Sequence, residues 1–158
     1  LVTASNRAGM IYAAGELQPL AARLDGHDSV DVVLYREGDE GVARREGEEL
    51  RFAPAGRGFA TSGDASILDH PDGLVRAWAA LANPNAGELL VSAALGWEFA
   101  DLAGRHHSGG GSHGSLAAGD SEVPMLTVGL DGEPCSITDV MPLALTHFGV
   151  ALPEYVRG

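Results

Sequence analysis

Three histidines and five glycines fall within the twelve residues Gly104-Arg105-His106-His107-Ser108-Gly109-Gly110-Gly111-Ser112-His113-Gly114-Ser115. Imidazole is the commonest protein ligand for zinc, and glycines let backbone come close to a bound ion or phosphate. A surface loop of Gly, Ser and His that binds nothing has the same composition, so composition alone leaves both readings open. Zinc takes four ligands, and the adjacent His106 and His107 do not readily face one ion, so further donors must come from elsewhere. Asp101 and Asp120 flank the segment. Either could ligate an ion, orient an imidazole or simply make a turn. Asp69-His70 is a second acid–imidazole pair, but it stands before Pro71 at the start of a helix, where capping accounts for it better than a metal does. Cys135 is the single cysteine; it excludes an intrachain disulfide and a thiolate zinc site, and no base near it in sequence would make it a nucleophile.

The elements that must position these residues follow from apolar spacing. Residues 1–4 and 9–13 read as short strands around a Ser5-Asn6-Arg7 turn. Leu17, Leu20, Ala21 and Leu24 make a helical stripe, with Pro19 tolerated in the first turn and Gly26 ending it. Val30 to Tyr35 is a β-branched, apolar run, and residues 41–45 and 48–53 are two more strands joined around Gly47, so 29–53 predicts an antiparallel meander. Residues 55–68 read as irregular. Leu74, Trp78 and Leu81 recur at helical spacing, which makes Trp78 a core residue. Residues 88–93 and 124–130 predict buried strands, and 97–100 a short one. Residues 136–148 give the clearest helix, with Ser136 and Asp139 placed for reciprocal capping and Gly149 beyond its end. His147 lies in its last turn, where packing or the helix dipole accounts for it.

The chain has 158 residues and a net charge of −12, and all ten basic residues are arginine. That length suits one domain with a sizeable core. The acidic balance argues against a nucleic-acid surface and against an anionic membrane. No apolar run reaches the roughly 18–20 residues that span a bilayer. Leu1 to Arg7 lacks the basic and apolar regions of a signal peptide. Nothing in the sequence points to a compartment.

Gly111-Ser112-His113-Gly114-Ser115, followed by Val123-Pro124-Met125-Leu126-Thr127-Val128-Gly129, resembles the last metal motif of the nucleotide pyrophosphatase/phosphodiesterase branch of the alkaline-phosphatase superfamily. There, a Gly-Thr-His-Gly loop precedes a strand ending in Gly. An Asp-containing start of the final helix comes next in that family, similar to Ile137-Thr138-Asp139-Val140-Met141-Pro142-Leu143 here. The similarity covers residues 97–153, with a looser likeness before it.

The resemblance implies zinc or similar divalent ions held by Asp and His, a Thr or Ser nucleophile on one of them, and a small phosphate-ester substrate. Carried over by residue, it makes His113 a metal ligand and gives His107 a weaker role beside the metal or against substrate. It gives Asp139 a structural role at a helix start. The family's nucleophile and its Asp-x-x-x-His and Asp-His-Gly motifs do not occur in this chain, and Ser112 and Ser115 do not stand where the family places its nucleophile.

The expectation is therefore a chain of mixed α/β and α+β content. Residues 1–158 would be the C-terminal portion of an alkaline-phosphatase-like α/β sheet, with a small antiparallel cap unit over about 27–70. Such a segment of a phosphodiesterase-type hydrolase would be inactive alone, would bind zinc weakly or not at all, and could self-associate through an exposed sheet edge. A non-catalytic binding or regulatory module using the 104–115 loop is the alternative, as is a small enzyme complete in itself.

Overall fold

The computed structural model describes residues 1–100, 111–130 and 132–156. The chain divides into two compact units, Leu1–Val123 and Pro124–Gly158. In the first, the elements are β1 (Val2–Ser5), β2 (Ala8–Ile11), α1 (Leu17–Asp25), β3 (Val30–Glu37), β4 (Glu40–Arg45), β5 (Glu48–Ala55), β6 (Gly58–Gly63), a 3-10 turn (Ala65–Leu68), α2 (Gly73–Leu81), β7 (Leu89–Ala93) and α3 (Ala118–Ser121). The fold is mixed α+β. Its sheet has the order β1-β2-β7-β3-β4-β5-β6, and every pairing among the described residues is antiparallel.

Four hairpins close through two-residue turns, since Ser5 pairs with Ala8, Glu37 with Glu40, Arg45 with Glu48 and Ala55 with Gly58. Two-residue turns that match the right-handed twist of their strands need a positive φ at the first position. Asn6 has φ 56° there, a conformation that asparagine tolerates better than most residues. The non-local step is β7, which inserts between β2 and β3.

Both faces of the sheet are covered, which explains why Val32 to Tyr35 of β3 are apolar in succession rather than alternating. On one face Val33, Tyr35, Val42, Leu89 and Val91 pack under α1 through Ala21, Leu17, Leu20 and Leu24. On the other, Val32, Leu34, Ala43, Leu50, Phe52 and Leu90 pack with Ile67 and Leu68 of the 3-10 turn and with Ala77 and Leu81 of α2. Trp78 joins this second face as the sequence predicts. Its ring meets Phe52 and Phe59 edge-on, with centroids 6.3 and 6.4 Å away, the geometry that aromatic quadrupoles favour.

The Pro124–Gly158 unit holds α4 (Ile137–His147) and a 3-10 turn at Glu154–Val156. The capping expected at Ser136 and Asp139 is present. Thr138 N–H donates to Ser136 Oγ at 3.3 Å, and Ser136 N–H donates to Asp139 Oδ2 at 2.9 Å. The ring of His147 stacks edge-on against Phe148.

Three expectations need correction. Residues 124–130 form no strand, and Val123, Leu126 and Val128 are exposed. A strand needs a neighbour for its backbone groups, and the described residues of this unit contain no other strand to supply one. Residues 97–100 form no strand either; Phe99 N–H donates to Asn6 O at 2.7 Å, which ties them to the β1–β2 turn. Conversely, β6 forms within the stretch expected to be irregular. It is an edge strand whose side chains are mostly exposed, so it carries no burial pattern to read. Residues 27–70 contain β3 to β6, continuous with the remaining strands through the β3–β7 ladder.

No helix among the described residues is long and apolar enough to cross a membrane.

Candidate functional site

His113 lies on the segment that runs from Gly111 past the β1–β2 turn towards α3, and its side chain is exposed. The backbone around it is fixed from several directions. Arg7 N–H donates to His113 O at 3.1 Å. Gly114, with φ 112°, passes so close to the β1–β2 turn that a Cβ there would lie 3.4 Å from Ser5 O. Leu116 N–H donates to Ser92 Oγ at 2.9 Å, and the Leu116 side chain is buried in the core under α2. The guanidinium of Arg76, on α2, donates to Ser115 O at 3.0 Å and to Leu116 O at 3.2 Å.

Asp120 locks the arrangement. One carboxylate oxygen accepts from the Arg7 guanidinium at 2.7 Å. The other accepts from Ser115 N–H at 2.9 Å and from Ser115 Oγ at 2.7 Å. Arg7 also donates to Ala94 O at 3.2 Å, just past the end of β7. Burial alone would raise the Asp120 pKa, but the Ser115 hydroxyl and amide, then Arg7 and His113, outweigh it and hold the carboxyl below its ordinary 3.8. The structure shows Asp120 tying the loop to the hairpin turn, a role that the sequence reading did not offer.

The other sequence candidates are not brought to His113. His107, like His106 and Asp101, lies outside the described residues. His70 faces Asp31 rather than Asp69, with Nε2 3.5 Å from Asp31 Oδ2, and neither Asp69 nor Asp72 caps α2 through its side chain. Cys135 is exposed. Among the described residues, no three His, Cys, Asp or Glu side chains gather as a metal would require. The donors present around His113 therefore do not by themselves fit a zinc ion, which needs further ligands.

Sequence reading missed Arg7, Ser92, Ser115 and Arg76 as the groups that hold the loop. One of them left a signal: Arg76 is the only charged residue in α2 (Gly-Leu-Val-Arg-Ala-Trp-Ala-Ala-Leu). A lone charge on an otherwise apolar helix usually has a partner to meet.

Comparisons with protein families, with curated proteins and with solved structures return no match.

His70 carries its own test. Burial holds its pKa below 6.5, outweighing the attraction of Asp31. The folded protein therefore binds the proton less readily than the unfolded chain. The neutral ring's contribution is present above pH 6.5 and is lost as pH falls through the lower folded value. His70→Gln is expected to flatten the dependence of the urea midpoint on pH in that window, and an unchanged slope would refute it.

Proposed function

We propose that this chain is the C-terminal segment of a metal-dependent phosphoester hydrolase of the nucleotide pyrophosphatase/phosphodiesterase type, contributing His113 as one metal ligand. The observation that carries the reading is the contrast at residues 113–116: an exposed imidazole on a backbone held by Arg7, Ser92, Asp120 and Arg76. A ligand side chain has to be presented to solvent or substrate while its main chain stays fixed. The Gly-Ser-His-Gly sequence supports the same reading through its resemblance to the family's last metal motif.

In this reading the chain is the C-terminal portion of a larger alkaline-phosphatase-like α/β sheet. Zinc or a similar divalent ion, when bound, would polarise the phosphoryl oxygens of a small phosphate ester and activate the nucleophile. Within the described residues His113 is the one donor that this reading assigns, and the remaining donors and the nucleophile would come from outside them. β1 is an edge strand of the sheet among the described residues, so self-association through that edge belongs to the same reading.

Two measurements test it. In calorimetry, the chain is expected to bind zinc weakly or not at all, with His113→Ala indistinguishable from it; tight stoichiometric binding that His113→Ala abolishes would place a complete site in this chain. The whole reading frame, expressed from its own start, is expected to hydrolyse bis(p-nitrophenyl) phosphate in a zinc-dependent way. His113→Ala should lower that rate by on the order of 100-fold or more. A reading frame without such activity would favour the alternative, a binding module that uses the 104–115 loop.

A further inference from the structure

We propose that Arg76 is the positioning residue for His113, acting through the backbone of Ser115 and Leu116. The inference rests on the reading of His113 as a functional side chain. The Arg76 guanidinium donates to three carbonyls: Pro71 O at 3.0 Å, Ser115 O at 3.0 Å and Leu116 O at 3.2 Å. Carbonyls of consecutive residues in extended chain point in opposite directions. For Ser115 and Leu116 to address one cation, the chain must bend, and it does so from Ser115 to Ala117. Arg76 thus fixes, together with Asp120 at Ser115, the direction in which backbone leaves His113, while Arg7 N–H holds the carbonyl of His113 itself.

The clamp stands on a rigid element. A Cβ at Gly73, the first residue of α2, would collide with the carbonyl oxygen of Leu68, so the start of α2 sits directly on the 3-10 turn. Ala77 and Leu81 bury the same helix in the core. The choice of arginine follows from its planar fork of five donors; a lysine ammonium is a compact charge that cannot span the same three oxygens.

The test compares Arg76→Lys and Arg76→Met with the parent in the 158-residue chain, without metal. Hydrogen exchange at Leu116 and Ala117 should accelerate about tenfold or more in Arg76→Met and less in Arg76→Lys. The Cε1–H signal of His113 should shift or broaden alongside. Amides within α2 and β7 should keep their protection. Loop amides and a His113 signal unchanged in Arg76→Met overturn the proposal. So does a loss of protection that is equal in the loop, α2 and β7, because Arg76 would then merely stabilise the fold. If Arg76→Met does not fold, the same comparison on Arg76→Lys decides. The readout needs no metal, so inactivity of the whole reading frame would defeat the hydrolase reading and leave this result standing.

Discussion

Asp120→Ala should destabilise the Leu1–Val123 unit by about 3–5 kcal/mol, the cost of leaving a buried charge without its partner. The side chains of Arg7 and Asp120 are 12% and 6% exposed, so water replaces the lost carboxylate only in part. The substitution also strips Ser115 N–H and Ser115 Oγ of their acceptor, at a residue that is 1% exposed. Asp120→Asn keeps an acceptor for Ser115 but loses the charge, and should fall between. The pH dependence has a definite sign. The folded carboxyl is held below its ordinary 3.8, so its contribution is complete above that value and is lost as pH falls through the lower folded value. Urea midpoints of parent and Asp120→Ala should therefore differ widely at neutral pH and converge in acid. A difference that persists unchanged in acid would show that the carboxylate charge is not what holds the loop.

Phe52→Ala is the second large effect, at about 3–5 kcal/mol, because a buried aromatic leaves both lost transfer energy and a cavity. Phe52 is fully buried, and its ring meets Phe59 at 6.2 Å and Trp78 at 6.3 Å between centroids. It also covers Gly41, its partner across the ladder; a Cβ there would come within 2.5 Å of the ring. The Trp78 ring is also held by the Arg36 guanidinium over its face, 4.7 Å from the ring centroid, which limits collapse into the cavity. Tryptophan fluorescence in urea reads both the midpoint and the altered setting of Trp78. A shift below about 1 kcal/mol would mean that the aromatic trio repacks freely.

Burial and turn chemistry made much of the fold legible in advance. The β-branched run at Val30–Tyr35, the Leu17/Leu20/Leu24 stripe and the Ser136/Asp139 cap each carry a local signal, and each forms as expected. β6 was not legible because an edge strand with exposed side chains has no face to encode. Residues 124–130 mislead for the opposite reason: Met-Leu-Thr-Val encodes burial, but not the strand that must provide it. For the candidate site, His113 stood out by residue type and glycine context. Of the groups that hold it only Arg76 left a trace, as the lone charge of α2; Arg7 and Ser92 did not, because they approach from distant elements and such meetings depend on topology rather than on spacing.

The tie between Arg7 and Asp120 joins residues 113 apart in sequence. Contacts of such separation carry a large loop-closure entropy, which non-local structures must overcome before the contact rewards it. The hairpins from β3 to β6 close through two-residue turns and face no such barrier. The pairing of β7 with β2 is what brings the β1–β2 turn and residues 113–120 within reach of each other. By its closure entropy the Arg7–Asp120 tie is expected to close after the hairpins, so its integrity would report that the Leu1–Val123 unit has folded.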